Sequence, residues 1–197
     1  MVLKYAPLRD AVRSARESMP IGSRACLLSA QGRVLDQALV EELATGEGLL
    51  LVAGRYEGVD ERIVEHEDLE EISVGEYVLS GGEIAAAVII DAVARMLPGV
   101  LGHEDSARQD SYTTGLLDYP QYTRPECIDD LGVPNVLLDG HHEEIRRWRL
   151  KQALGRTWLR RPGLLQARAL TVEERELLDE FIAEHGQGAE PGQSVSD

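Results

Sequence analysis

The feature that most constrains the fold is a pair of apolar segments that each open into a glycine-rich loop. The first, 49–53, is followed by G-R-Y-E-G-V-D-E-R at 54–62. The second, E-I-S-V-G-E-Y-V-L-S-G-G at 71–82, has the Val, Tyr and Leu of a strand and leads into an apolar helical segment. Glycine occurs where a backbone approaches a ligand and also in ordinary turns. The loops therefore predict either one pocket lined by main-chain groups or two plain turns.

Strands alternate with helices over the first hundred residues. The predicted strands are 24–29, 49–53 and 69–78, with a turn at 30–33, and the predicted helices are 8–19, 35–44, 59–65 and 83–97. This alternation favours an α/β fold with a mostly parallel sheet, in which ligands bind beyond the carboxyl ends of the strands. The helix at 83–97 is apolar nearly all round, so we expect it to be buried within the chain or against a partner chain.

The second half of the chain has a different character. Residues 102–114 are polar and without periodicity, which predicts a linker between a domain at 1–101 and another at 115–184. Helices are predicted at 143–154 and 171–183, and the latter opens with Thr171 and Glu174 at the spacing of a capping box. We therefore expect a small all-α C-terminal domain, followed by a disordered tail at 185–197 that is rich in Gly, Ser and acids.

Composition excludes several classes of protein. A hydrophobic content of 43% is enough for a packed core. The sequence contains no apolar run of the roughly 18 residues that would span a membrane, and its start lacks the apolar region of a signal peptide, so we expect a cytoplasmic protein. Cys26 and Cys127 are far apart, and we expect both to be reduced, apolar fillers rather than part of a disulfide or a metal site.

The charge of the chain is unevenly distributed. The net charge of −15 argues against a broad attraction to nucleic acid. The segment 146–161, however, carries seven Lys or Arg residues and no acid. Such a basic segment predicts either a local contact with a polyanion or a solvated helix face whose charges are paired with acids elsewhere.

Six strings of the sequence together resemble the bacterial tRNA (guanine-37-N1)-methyltransferase family, TrmD. They occur in the family's order and spacing, and the resemblance covers the chain from about residue 7 to 182. The strings are G-R-Y-E-G-V-D-E-R at 54–62, S-V-G-E-Y-V-L-S-G-G-E at 73–83, D-A-V-A-R-M-L-P-G-V-L-G at 91–102, D-S-Y at 110–112, G-L-L-D-Y-P-Q-Y-T-R-P-E at 115–126 and H-H-E-E-I-R-R-W-R at 141–149.

The resemblance implies a fold and an activity that the residue patterns do not themselves show. The family belongs to the SPOUT methyltransferases, in which a mostly parallel sheet contains a deep trefoil knot. The implied reaction is methylation of guanosine 37 of tRNA at N1, with S-adenosyl-L-methionine as donor. The family also implies a homodimer whose active sites lie at the subunit interface, which fits the apolar helix at 83–97. Mg²⁺ is a further expectation of the family, although no cluster of ligands in the sequence locates it.

The resemblance also implies the residues that bind the donor, and these fall in three loops. Main-chain donors and acceptors in glycine-rich loops suit the recognition of adenine, and the sequence lacks the G-x-G-x-x-G turn of a Rossmann-type enzyme. Glu57 is either a loop acid or a group near the sulfonium, and we favour the latter. The implied cofactor-binding residues are Leu28, Ala30, Gln31, Gly54, Tyr56, Glu57, Val74, Gly75, Glu76, Tyr77, Val78, Leu79 and Gly81.

Asp110 and Arg95 are the implied catalytic pair. Attack by guanine N1 requires removal of the N1 proton, which a carboxylate can accept, while a guanidinium can stabilise negative charge on O6. A free Asp has a pKa of about 3.9, so partial desolvation would be needed to make it a useful base. From the residues alone, the favoured interpretation of Asp110 is a helix N-cap and that of Arg95 is a surface helix residue.

The implied contacts with tRNA lie in the C-terminal part of the chain. Asp118 either reads a base edge or closes a turn. Arg146, Arg147 and Arg149, in the basic segment, would hold phosphates. Trp148 and Trp158 are expected to pack in the core rather than to stack on bases.

The chain departs from the family's pattern at a few positions. Ala30 and Ala85 stand where Pro is usual, and Glu76 stands where Asp is usual. Met1 aligns after the family's first strand, first helix and a glycine-rich loop, so the sequence is either a fragment or has a misplaced start. An alternative function is therefore a truncated copy that binds donor or RNA without turnover, and a third is an acidic scaffold, which would leave the glycine loops unexplained.

Overall fold

A computed structural model of the chain describes residues 1–100 and 110–185. The chain divides into two compact units, Met1–Glu104 and Asp105–Asp197. Residues 102–109 of the predicted linker and 186–197 of the predicted tail lie outside the described residues. None of the helices within the described ranges combines the length and the apolar character needed to cross a bilayer.

The first unit is an α/β layer built on a three-stranded parallel sheet. Its strands lie in the order β2–β1–β3, and both pairings are parallel. The mostly parallel sheet that the alternating pattern predicted is therefore confirmed. The elements in chain order are α1 (Tyr5–Glu17), β1 (Arg24–Val34), α2 (Gln37–Ala44), β2 (Leu49–Ala53), α3 (Arg62–His66), β3 (Glu70–Ser73) and α4 (Gly82–Ala94).

Helices cover both faces of this sheet because successive side chains of β1 point to opposite sides. Ala25 and Leu27 pack with Val12 of α1 and Ile63 of α3. On the other face, the alternate residues of β1 pack against α2 and α4, in a cluster that contains Cys26, Leu28, Leu39, Leu43, Ile72, Ala85 and Ile89. Burial raises the pKa of the Cys26 thiol to about 11, which fits its predicted role as an apolar filler. The same prediction is wrong for Cys127, which is exposed.

Two strand predictions are wrong at their carboxyl ends. The predicted turn at 30–33 is part of β1, which pairs with β3 again at Arg33 and Val34 after a shift of register. Gly32 allows this because its backbone lies against the main chain of Glu71, where no Cβ would fit. The predicted strand at 69–78 ends at Ser73, and Gly75 follows with a φ of 154° that L side chains rarely adopt.

The second unit is mainly helical, but its described residues are not all α. They include a small antiparallel hairpin that the sequence did not predict, and an additional short helix after the long one. The helix predicted at 143–154 extends to Arg160. The elements are β4 (Cys127–Ile128), β5 (Leu131–Gly132), a 3-10 turn (Asn135–Leu137), α5 (His142–Arg160), α6 (Pro162–Gln166) and α7 (Val172–His185).

The core of the second unit lies between α5 and α7. Leu116, Ala153, Leu154 and Leu177 form its buried cluster. Trp148 and Trp158 are half-buried. His185 was assigned to the disordered tail, and this is wrong because it is the last residue of α7, with its ring stacked on Phe181 at 4.1 Å between centroids.

The predicted capping box begins α7. The Glu174 backbone N–H donates to Thr171 Oγ1 at 3.2 Å, and the Thr171 N–H donates to Glu174 Oε2 at 2.8 Å. Each side chain thus satisfies a backbone donor that the first turn of a helix leaves unpaired.

Candidate functional site

A cavity of about 320 Å³ lies at the carboxyl edge of the parallel sheet. The strands of a parallel sheet all end at the same edge, so the segments that follow β2 and β3 meet there beside the carboxyl half of β1. The two glycine-rich loops line this cavity together, which favours the one-pocket interpretation over two separate turns.

Most of the predicted cofactor-binding residues line this cavity. The exception is Glu76, which is exposed and does not contribute to the lining. The predicted residues that do are Leu28, Ala30, Gln31, Gly54, Tyr56, Glu57, Val74, Gly75, Tyr77, Val78, Leu79 and Gly81. Sequence reasoning missed Ser73, Ser80 and Gly82, which also line it. Their position within or next to the predicted loops is the sequence feature that could have identified them.

The loops are held together by their main chains. The Gly82 N–H donates to the Gly54 carbonyl at 2.9 Å, which ties the start of α4 to the end of β2. A Cβ added at Gly82 would lie 2.8 Å from the Ala53 Cα, so this close approach requires glycine. At this point the backbones of the two loops approach each other without a side chain in between.

The loop after β3 is shaped by local hydrogen bonds. The Ser73 hydroxyl donates to the Gly75 carbonyl at 3.0 Å, and the Tyr77 hydroxyl donates to the Val74 carbonyl at 3.1 Å. In the other loop, Tyr56 has a φ of 68°, an unusual value for a residue with a side chain. Backbone strain of this kind is concentrated at ligand sites and turns.

Charged side chains lie at the rim of the cavity. Arg55 forms an ion pair with Glu83. The Glu83 backbone N–H and the Arg55 guanidinium hold the pKa of the Glu83 carboxyl below its usual value. The Glu57 carboxylate is exposed and pairs with the amino group of Met1. No group of three or more His, Cys, Asp or Glu side chains in the described ranges could hold a metal ion.

The cavity fits the donor that the methyltransferase resemblance implies. Main-chain N–H and C=O groups supply the donors and acceptors that the edge of adenine requires. Its volume is at the lower end of the range of roughly 300–1,000 Å³ for pockets that hold small molecules. Gly82, which lines the cavity, approaches the Ala53 backbone too closely to admit a larger residue.

Asp110 lies in a compact turn rather than at the start of a helix. Residues 110–114 form a bend and a turn, so the N-cap alternative is wrong. The turn is fastened by the Tyr112 N–H, which donates to the Leu116 carbonyl at 2.7 Å, and by the Leu117 N–H, which donates to Thr157 Oγ1 at 2.9 Å. Leu116 is only 5% exposed and anchors the turn in the core of the second unit. Asp110 is therefore held by an ordered segment.

Asp118 lies near Asp110, a pairing that the sequence did not predict. Desolvation raises the pKa of the Asp118 carboxyl, and the charge of Asp110 raises it further. The Asp118 N–H donates to Ser111 Oγ at 2.9 Å, so this residue does close a turn. Two carboxylates within electrostatic reach of each other are a common arrangement for proton transfer.

Arg95 is the C-cap of α4 and is exposed. Arg95 thus lies at the carboxyl end of a helix whose outer face is unusually apolar. Ile84, Val88 and Ile90 are 58%, 45% and 58% exposed.

The arginines of the basic segment differ in their partners. Arg146 pairs with Glu143 and Glu173, and these carboxylates raise the pKa of its guanidinium. Arg147 pairs with Glu173 and Glu180. Arg149 instead lies over the ring of Tyr119, 4.9 Å from its centroid. Arg146 and Arg147 therefore lie on a helix face whose charges are paired with acids, which was the alternative to a contact with a polyanion.

Comparisons with known proteins identify relatives along almost the whole chain. The sequence model of the family tRNA (guanine-1)-methyltransferase TrmD matches residues 1–167. A tRNA (guanine-N(1)-)-methyltransferase of Cronobacter sakazakii is 59% identical over 187 residues, which cover 95% of this chain and 73% of the relative. The proteins of the same name from Klebsiella pneumoniae and Salmonella newport are 58% and 59% identical, with the same coverage.

Proposed function

This chain belongs to the tRNA (guanine-1)-methyltransferase family TrmD, and from that premise we propose that it methylates N1 of guanosine 37 in tRNA. S-adenosyl-L-methionine is the donor. The observation that supports this function most directly is the cavity at the carboxyl edge of the sheet, where two glycine-rich loops present their main chains. The fold that accompanies it is the knotted SPOUT sheet.

The donor is held by the loops that line the cavity. When bound, it supplies an electrophilic methyl group on a sulfonium. The main chains of the loops 54–57 and 74–81 would hold it, and Leu28, Ala30 and Gln31 line the side formed by β1. Glu57 lies near the positive sulfonium, where its carboxylate offers electrostatic stabilisation. Glu76, which is exposed and outside the lining, is the weakest candidate among the predicted cofactor-binding residues.

Asp110 acts as the general base. It accepts the N1 proton of guanine, which leaves the N1 lone pair free to act as the nucleophile. Asp118 lies near it, and desolvation together with the charge of Asp110 raises the pKa of the Asp118 carboxyl. Arg95 stabilises the negative charge that develops on O6 of the base.

The substrate is a tRNA whose target base is reached in a single-stranded loop. Extrusion of a base costs a few kcal/mol, and this cost is smallest where the base is unpaired, as in an anticodon loop. Asp118, Arg146, Arg147 and Arg149 are the candidate contacts. Of the arginines, Arg149 has the strongest case, because phosphates would have to compete with Glu143, Glu173 and Glu180 for the other two.

A homodimer completes the active site. The outer face of α4 exposes Ile84 and Val88, one helical turn apart, and a second copy would bury them. Mg²⁺ is a further cofactor of this proposal, bound together with donor and RNA. The cytoplasm, where tRNA is processed, is the proposed location.

The function is tested by incubating the chain with labelled donor and unmodified tRNA that carries G37. We expect N1-methylguanine at position 37, detected by mass spectrometry of the digested RNA. A matched transcript with adenosine at position 37 should accept no label. A chain that binds the donor by calorimetry and yet transfers no methyl group in a single turnover would establish the alternative, binding without turnover, which the comparisons do not favour.

A further inference from the structure

A second cavity, of about 570 Å³, lies within the second unit. We call it the tyrosine pocket. It lies between the extended segment 119–124 and the first turns of α5. Its lining includes Tyr119, Tyr122, Arg124, Leu137, Ile145 and Arg149. The candidate active site does not use it.

The two tyrosine rings of the tyrosine pocket each pack against a side chain of α5. Arg149 covers the ring of Tyr119. The ring of Tyr122 packs against that of Trp148, with 6.4 Å between the ring centroids and 49° between the ring planes. Tyr122 nevertheless remains 49% exposed. Its ring therefore offers a supported aromatic surface that solvent, or a ligand, can reach.

The charge of the tyrosine pocket differs from that of the rest of α5. Arg146, Arg147 and Lys151 lie along the face of α5 that packs on α7, and each pairs with acids. Within the described ranges, Arg124 and Arg149 form no salt bridge. Glu126 is the one acid in the lining, so the pocket keeps a net positive charge. In a chain with a net charge of −15, such a site selects an anionic ligand.

We propose that the tyrosine pocket binds an unpaired nucleotide of the tRNA substrate. Its base stacks on Tyr122, and Arg124 and Arg149 hold its phosphate. Proteins that bind single-stranded nucleic acid combine these two elements, aromatic rings for the base and arginines for the backbone. This inference rests on the proposed function, because it assigns a second contact to the same substrate.

The test compares tRNA binding by single variants of the full chain. Tyr122→Ala removes the stacking surface, and we expect the Kd for unmodified tRNA, measured by fluorescence anisotropy, to rise about tenfold or more. Tyr122→Phe keeps the ring and should stay within about twofold of the wild type. Arg149→Ala should raise the Kd and lower the slope of log Kd against log salt by about one. Arg175→Ala on α7 is the control for the loss of one positive charge. It should change the Kd and the salt slope little.

Two further measurements separate a lost contact from a damaged active site. In the Tyr122→Ala chain, KM for tRNA should rise while kcat at saturating tRNA stays near the wild-type value. The reason is that the lost contact would stabilise the bound ground state and the transition state equally. The Kd for the donor, measured by calorimetry, should not change. A 2-aminopurine placed at successive loop positions of the tRNA should be quenched at one position by the wild type and not by Tyr122→Ala.

Each other outcome overturns the inference in a recognisable way. If the wild type methylates tRNA and Tyr122→Ala binds tRNA equally well, the proposed function stands and the nucleotide site does not. If the wild type neither binds nor methylates tRNA, both proposals are wrong. If Tyr122→Ala converts a dimer to a monomer in sedimentation, the occupant of the pocket is a second copy of the chain.

Discussion

At the scale of single residues, Asp110 carries the most specific chemical role. Replacement by Asn removes the proton acceptor at nearly constant shape, so we predict that methyl transfer falls by about 10²- to 10⁴-fold. Donor affinity should stay intact, because the proposed donor site is formed by residues 28–85. Single-turnover transfer and calorimetry measure the two quantities.

Asp139→Asn, an exposed change in the same unit, is the matched control for Asp110→Asn and should leave both quantities as in the wild type. If Asp110→Asn abolished donor binding, the assignment of Asp110 as the base would be wrong.

Asp118 gives a prediction about pH. Its pKa is raised in the folded chain, so ionising it opposes folding. Its unfavourable contribution is absent below the usual Asp pKa of about 3.9 and grows as pH rises through the higher folded value. We predict that Asp118→Asn increases the free energy of unfolding at pH 7 and that this gain disappears on acidification. Urea unfolding over a pH series measures it.

Asp110 supplies the second cause of the raised Asp118 pKa, which allows a stricter check. In an Asp110→Asn background, the gain from Asp118→Asn should be smaller. A gain that is independent of pH in both backgrounds would show that Asp118 acts through packing and not through its charge.

At the scale of elements, the contact between β2 and α4 depends on Gly82. A Cβ there would meet the backbone of Ala53 and Gly54 at 2.8 and 3.0 Å. We predict that Gly82→Ala lowers the free energy of unfolding by about 1–3 kcal/mol, because the two main chains must separate. Donor affinity should fall as well, since the same contact shapes the cavity.

Gly163→Ala is the control for this change, because nothing lies within 4 Å of the added Cβ. It sits in α6, where alanine should increase the free energy of unfolding by about 0.4–1 kcal/mol. Urea unfolding and calorimetry separate the two variants. Equal stability of Gly82→Ala and the wild type would contradict the close approach.

The ends of the elements show which predictions depend on local chemistry. The cap of α7 follows from Thr171 and Glu174 alone, and the cap of α2 from Asp36, whose carboxylate accepts the Leu39 N–H at 2.8 Å. The extent of β1 does not follow from local chemistry. Its carboxyl half pairs with a strand that lies about forty residues further along the chain. Without that partner, the residues around Gly32 have the local pattern of a turn.

At the scale of the whole molecule, the outer face of α4 determines the predicted assembly. We predict that the wild-type chain is a dimer and that Val88→Asp makes it a monomer, because a charge would have to be buried without a partner. Analytical ultracentrifugation measures the mass, and circular dichroism checks that helix content is kept.

Val172→Asp is the control for Val88→Asp, because Val172 is 74% exposed on α7. It should leave the dimer intact. A wild-type chain that is already a monomer would contradict the proposal that a second copy completes the active site.

The sequence by itself determined the α/β alternation, the family and the loops that supply much of the cavity lining, because these depend on short strings and on the period of apolar residues. Only the tertiary structure decided which charges are neutralised. Arg146 and Arg147 lie beside the acids of α7, whereas Arg149 lies on Tyr119. It also brought Asp118 to Asp110. Such pairings depend on where two helices or two turns meet in space, and no local pattern of residues encodes that position.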